Sequence, residues 1–293
     1  MHPSFHELIK ERLSSLLGGP AGTWDFAPVS GGSISEAFIA GNGKEKVFCK
    51  VNESRTFPGL FAREMKGLEL IRDQKIIRVP KVFACVEHDP WQALVLEWIP
   101  TGQPGEKFWD RFGSQLARLH GIKAPVFGWD ENNYMGSVTQ DNAQMEDWPS
   151  FFREKRLKPL VEKCRENNLL PAEDIVLFER LYEKLPHYFQ DRLVPSLQHG
   201  DLWSGNFMCS EHDEPVLIDP AVYFGHPSVD LGMTMLFGGF SPRFYEAYRY
   251  HSSYTAYNRD QCTIANLYPL LIHLYLFGRS YLAQILSCLK QFA

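Results

Sequence analysis

Residues 197–221 read LQHGDLWSGNFMCSEHDEPVLIDPA and set Asp201, Asn206 and Asp219 around two short apolar runs. Oxygen-bearing side chains this close together suit one kind of chemistry. Hard divalent cations take carboxylate and amide oxygens, and a fixed carboxylate can accept the proton of an attacking hydroxyl. The same residue types are also the ordinary punctuation of turns between strands. Cysteine and histidine offer no competing cluster. The six cysteines are scattered, with no Cys-x-x-Cys pair and no histidines at zinc spacing, so reduced thiols in a cytoplasmic protein are expected.

A chain of 293 residues can bury a large core as one large or two modest domains, and 44% hydrophobic with 22% charged residues argues for a globular protein. The formal net charge of -5 gives no electrostatic reason to expect a nucleic-acid surface. The first residues, MHPSFHELIKERLSSLLGG, mix charged and apolar types at helical spacing, unlike a signal peptide. The longest apolar stretch, IANLYPLLIHLYLFG, is short for a bilayer span and carries Asn266, Pro269 and His273, so it reads as a buried helix and no membrane partner is expected.

The elements that must position these residues can be read from periodicity. A helix over about residues 4 to 17 is followed by five strand-like runs: WDFAPVS, SEAFIA, KVFCKVN, KVFACVEH and QALVLEWI. With the helical segment PGLFAREMKGLELIRD between the third and fourth, they predict a mostly antiparallel five-stranded sheet with one inserted helix. After the Pro/Gly-rich PTGQPGE the pattern turns helical, in KFWDRFGSQLARLHG, WPSFFREKRLKPLVEKC and AEDIVLFERLYEKL. Short strands, VPSLQHGD and EPVLIDP, flank the acidic motif. Sheet first and helices second, with the motif at the junction, predicts a two-lobed α+β protein with a cleft. Residues 124–152 hold Asp130, Glu131, Asp141, Glu146 and Asp147 without a Lys or Arg, as a solvated loop or as a wall that recognises a cation.

The spacing His-Gly-Asp-Leu-x-x-x-Asn at 199–206, with Asp219 closing the next apolar run, resembles the catalytic and metal-binding loops of the protein-kinase-like superfamily in its small-molecule kinase form. That resemblance implies ATP and Mg²⁺. Phosphoryl transfer needs alignment and charge neutralisation, so Asp201 would orient the acceptor hydroxyl while Asn206 and Asp219 hold the metal. Lys50 in KVFCKVN stands where this fold places its phosphate-neutralising lysine, as against an edge-facing solvated lysine; Glu64 in the next helix is its expected partner and Glu69 the competitor. The loop SGGSISEAF, with Gly31, Gly32, Ser33 and Ile34, reads as a phosphate cover or as a plain hairpin turn. LVLEWIP ends the fifth strand where a hinge would meet adenine through the Glu97 carbonyl and the Ile99 amide. Asp230 resembles the helix aspartate that ties down the catalytic-loop backbone, and His120 reads as a satisfied core histidine.

The longer segments HGDLWSGN, DPAVYFGHPSVDLGM, MLFGGF, EDWPSFFREKRL and LYLFGRSY resemble the fructosamine kinase (ketosamine-3-kinase) family from end to end. That resemblance implies an N-terminal nucleotide-binding lobe of 1–99 and a helical catalytic lobe of 100–293. The activity implied is MgATP-dependent phosphorylation of the 3-hydroxyl of a small-molecule or protein-linked ketoamine, a deglycation step. Trp203 is the candidate sugar-stacking residue, or a packing residue under the loop. Ser33 stands where some relatives carry cysteine, and Pro220-Ala221 follow Asp219 where protein kinases have Phe-Gly. An aminoglycoside or other amino-alcohol phosphotransferase shares the His-Gly-Asp core, but from 222 to 293 only Asp230, Glu246 and Asp260 are acidic, which disfavours a polycationic substrate. A catalytically silent binding module would have lost one of the lysine, base or metal positions, and all are filled.

Overall fold

The computed structural model describes residues 3–29, 34–190, 194–252, 254 and 258–293, which form two compact units: residues 1–105 with 208–219, and residues 106–207 with 220–293.

In the first unit the predicted sheet is present. Its strands are β1 (Asp25–Val29), β2 (Glu36–Gly41), β3 (Lys46–Glu53), β4 (Val82–His88) and β5 (Trp91–Glu97), in the antiparallel order β1-β2-β3-β5-β4. Asn42 closes the β2–β3 hairpin, its Oδ1 accepting from Lys44 N and Glu45 N beside Gly43, whose φ of 84° suits only a residue without a Cβ. Because side chains alternate along a strand, β3 sends Val47, Cys49 and Val51 to one face and Phe48, Lys50 and Asn52 to the other. Helix α1 (Pro3–Leu17) covers the first face with Phe5, Ile9 and Leu13. Helix α2 (Leu60–Asp73) packs on β4 and β5 through Phe61, Leu68 and Ile71, and keeps its polar Glu64 within reach of Lys50.

The second unit is mainly helical: α3 (Phe108–Leu119), α4 (Trp148–Phe151), α5 (Lys158–Glu166), α6 (Ala172–Tyr188), α7 (Ser228–Leu236), α8 (Pro242–His251), α9 (Arg259–Ala265), α10 (Leu267–Phe277) and α11 (Leu282–Phe292). Helices α3 and α8 meet so closely at Gly113 that a Cβ there would lie 2.2 Å from Phe244 O. The apolar stretch read as a buried helix is α10, with Leu267, Leu270, Leu271 and Leu274 fully enclosed. No helix among the described residues is long and apolar enough to cross a membrane. No disulfide links the six cysteines.

Two local features differ from the sequence expectation. The periodicity predicts one continuous helix over 148–164, yet a π-helical stretch, Phe152–Leu157, separates α4 from α5. Pro159, in the first turn of α5, has no N–H to give to the preceding turn, so the regular ladder is interrupted there. Within the segment read as an acidic loop lies a hairpin, β6 (Asn133–Met135) and β7 (Val138–Gln140), turning at Gly136-Ser137 with Gly136 at φ 59°. The remaining short strands are β8 (Ser196–Gln198), β9 (Phe207–Cys209), β10 (Pro215–Leu217) and β11 (Tyr223–Gly225); β8 pairs with β11 and β9 with β10.

Candidate active site

In the first unit Lys50, at the centre of β3, donates from Nζ to Glu64 Oε1 at 2.8 Å and to Asp219 Oδ1 at 2.5 Å. Glu69 pairs instead with Arg72 on its own helix, at 3.7 Å. Burial pulls the Lys50 pKa down, but Asp219 and Glu64 outweigh it and hold the ammonium above its ordinary range. Burial pushes the Glu64 carboxyl up, and Lys50 opposes that only in part. Asp219 follows β10 with its backbone in the left-handed region, φ 54°, and keeps 44% of its side chain exposed.

Beside this triad lies a cavity of about 150 Å³ with apolar walls, among them Phe48, Leu68, Leu96, Met208 and Ile218; Glu97, Ile99 and Asp219 complete its edge. Leu96 points into it, and strand alternation turns the Glu97 side chain away. There the Glu97 carboxylate accepts from Arg78 Nη2 at 2.7 Å and Lys81 N at 3.1 Å, while Arg78 also reaches Glu214 at 3.1 Å. The lining edge therefore presents main chain. Gly31, Gly32 and Ser33 lie outside the described residues; Ile34 is half-buried, and its neighbour Ser35 accepts from Asn52 Nδ2 at 3.1 Å.

In the second unit the His199–Asn206 segment is tied down at both ends. Asp230, fully buried in the first turn of α7, accepts from His199 N at 2.8 Å and Gly200 N at 2.9 Å. His120 Nε2 sits 3.1 Å from the same carboxylate and its Nδ1 lies 2.7 Å from Tyr248 OH, so this core histidine is satisfied. Burial pushes the Asp230 carboxyl up, yet the His120 hydrogen bond, the His120 and His199 charges and the Gly200 amide together hold it below the usual carboxylate range. At the other end Asn206 Nδ2 donates to Asp201 O at 2.8 Å and to Asp201 Oδ2 at 2.9 Å. This fixes the Asp201 carboxylate and leaves the Asn206 amide oxygen as the atom to meet a cation. Trp203, 39% exposed, lies over Gly205, where a Cβ would fall 2.3 Å from the indole, and meets Phe237 edge-on at 6.0 Å between centroids.

The Asp219 carboxylate of the first unit and the Asn206 amide oxygen of the second are each, taken singly, hard oxygen donors of the type that Mg²⁺ takes. Among the described residues no three His, Cys, Asp or Glu side chains gather into a group that could hold a metal ion. The acidic segment is largely committed to its own structure: Asp141 pairs with Lys155 at 2.8 Å, Asp147 caps α4 by accepting from Ser150 N, and Asp130 accepts from Gln144. Sequence reasoning missed Asn133, Gln140 and Arg156, all buried. The signal for Arg156 was its place at four-residue spacing after Trp148 and Phe152, a charge on the face that the aromatics bury.

The family model for fructosamine kinase matches residues 5–293. A Synechocystis protein classed as a ketoamine kinase is 35% identical over 292 residues, covering 99% of this chain and 97% of the relative. The crystal structure of a protein classed as a fructosamine-3-kinase, from Thermobifida fusca, superposes with a TM-score of 0.87 at 28% identity, covering 97% and 98% of the two chains. An aminoglycoside phosphotransferase shares the fold alone, with a TM-score of 0.64 at 12% identity over 98% of this chain and 99% of the other.

Proposed function

Because the chain belongs to the fructosamine kinase family, we propose that it transfers the γ-phosphoryl group of MgATP to the 3-hydroxyl of a ketosamine of the fructosamine or ribulosamine type, in the cytoplasm, as a deglycation step. The observation that carries this is the family match over nearly the whole chain, joined to a lysine, a loop aspartate and metal-fitting oxygens with nothing missing from the set.

In this reading residues 1–99 are the nucleotide-binding lobe and 100–293 the catalytic lobe of a two-lobed kinase. Adenine enters the apolar cavity and meets the Glu97 carbonyl and the Ile99 amide. Lys50, oriented by Glu64, neutralises phosphate charge, and Gly31, Gly32, Ser33 and Ile34 cover the phosphates. Mg²⁺, held by Asn206 and Asp219, supplies charge neutralisation when bound. Asp201, whose carboxylate Asn206 holds in place, accepts the hydrogen bond of the 3-hydroxyl and takes its proton as the O3–Pγ bond forms and the Pγ–O bond to ADP breaks, ADP leaving. Trp203 offers its exposed face to the sugar, its orientation fixed by Gly205.

An ADP-release screen tests the reading. Lysine-linked fructosamine or ribulosamine should turn over with kcat/KM well above kanamycin, choline or homoserine, and the product should carry one added phosphate by mass spectrometry. Enolisation of the product toward C1 expels a phosphate on C3, so mild base should release inorganic phosphate. Robust aminoglycoside turnover with no activity on any ketoamine would replace this reading with the amino-alcohol phosphotransferase.

A further inference from the structure

Against the backbone of the Asp201 loop lies a buried polar network to which the proposed function gives no contact with nucleotide, metal or sugar. Arg156, on the π-helical stretch, is wholly buried, with its guanidinium 4.2 Å from the centroid of Tyr223, 4.7 Å from Phe151 and 5.4 Å from Tyr268. It donates to Asp141 O at 2.5 Å, Lys155 O at 3.1 Å and Asn142 Oδ1 at 2.6 Å; among the described residues none of its hydrogen bonds goes to a carboxylate. A buried cation is costly unless its hydrogen bonds are made, and here both Nη atoms are paired while Nε has no partner among the described residues, so the two Nη atoms carry the contacts that hold it.

A guanidinium can only donate, and that fixes the direction of every hydrogen bond beyond it. Asn142 must turn its oxygen to Arg156, which points its Nδ2 to Asn133 Oδ1 at 3.0 Å; Asn133 Nδ2 then donates to Val222 O at 2.8 Å. On the parallel branch Tyr268 OH donates to Gln140 Oε1 at 3.0 Å, and Gln140 Nε2 donates to Ala221 O at 3.1 Å and to Asn133 Oδ1 at 2.8 Å. Asn133 and Gln140 face each other across β6–β7, which makes that hairpin the carrier of both amides. The receiving segment touches the catalytic loop: Ala221 N donates to His199 O at 2.8 Å, and Ala221 O lies so close to Gly200 that a Cβ there would be 2.0 Å away. Asp201 is the next residue.

We propose that Asn133, Gln140 and Arg156 are positioning residues for phosphoryl transfer: the directed chain of donors locks the Ala221–Val222 carbonyls and thereby sets the backbone from which Asp201 projects, in addition to the tie that Asp230 makes. This rests on the reading of Asp201 as the group that positions the hydroxyl. Each amide has one orientation, so the lock holds without reorganisation during the reaction.

Two variants test it. Gln140→Met keeps length and removes both donated bonds; Tyr268→Phe keeps the ring over Arg156 and removes only the hydroxyl that orients Gln140. We expect kcat for the ketoamine to fall about tenfold or more in the first and a few-fold in the second, with KM for MgATP within about twofold. Amide hydrogen exchange at His199–Asp201 should quicken in both, a readout that needs no substrate. A lower Tm with kcat and exchange at 199–201 unchanged would overturn the proposal and leave the network a merely structural one. Wild-type protein inactive on every ketoamine would strike the substrate assignment, while quickened exchange in the variants would still support the positioning role.

Discussion

Replacing Asp230 by asparagine swaps one carboxylate oxygen for an NH₂ at a site where Oδ2 accepts from both His199 N and His120 Nε2 and Oδ1 accepts from Gly200 N. The amide oxygen can serve the first pair only by turning its NH₂ against the Gly200 N–H. One buried donor is then orphaned at about 1–3 kcal/mol, and the two remaining bonds lose roughly half their strength with the charge. The expected loss is about 3–5 kcal/mol, comparable to breaking a buried ion pair, and at roughly 2–4 °C per kcal/mol Tm should fall by about 10 °C. The pH dependence has a definite sign. The native carboxyl is held below its usual range, so its contribution is full above the unfolded pKa, near 4, and is lost as pH falls through the lower native value. Urea denaturation at neutral pH and again in acid should therefore show a gap between wild type and variant that narrows below about pH 4. A difference under about 1 kcal/mol at neutral pH, or a gap constant into acid, would refute the assignment of Asp230 as the tie of the loop.

Lys50→Met removes the cation between Glu64 and Asp219, and nucleotide affinity by fluorescence titration should drop at least about tenfold; a Kd within twofold of wild type contradicts the phosphate role. Gly200→Ala puts a Cβ 2.0 Å from Ala221 O at φ 85°, so kcat should fall below about one hundredth even where the protein folds, and near-normal turnover would show that the loop can move freely. Asp201→Asn should lower kcat by about a hundredfold or more with KM for MgATP little changed, and an effect confined to KM would assign Asp201 to binding. Asp219→Asn should abolish turnover at any magnesium concentration, and activity restored by excess magnesium would place the metal elsewhere.

The five-stranded sheet and α2 were legible because their apolar residues repeat at periods of two and of three to four, and each faces a single apolar layer. Lys50 and the His199–Asn206 loop were singled out in the sequence by resemblance to kinase motifs, and the structure joins Lys50 to Glu64 and ties the loop to Asp230. The choice of Glu64 over Glu69 needed the fold: both lie on α2, and only the turn facing β3 reaches Lys50. Hairpin β6–β7 was hidden because each strand has three residues and only one apolar inward residue, Met135 or Val138, its other inward positions being the polar Asn133 and Gln140. The π-helical stretch was hidden because five- and four-residue repeats look alike over so short a span. Arg156 shares the spacing of Trp148 and Phe152, but the rings that enclose it, Tyr223 and Tyr268, are distant in sequence.

An inhibitor that mimics adenine would find in the first unit's cavity apolar walls and a main-chain edge, because Arg78 and Lys81 keep the Glu97 carboxylate turned away. Peptide groups survive substitution. If the proposed adenine site is this cavity, drug resistance would have to arise from the shape of the walls, at Phe48, Leu68 or Met208, where added bulk would also obstruct the natural nucleotide. Compounds that rely on the main-chain edge would tolerate sequence drift among relatives, and those that exploit the breadth of Phe48 would discriminate between them.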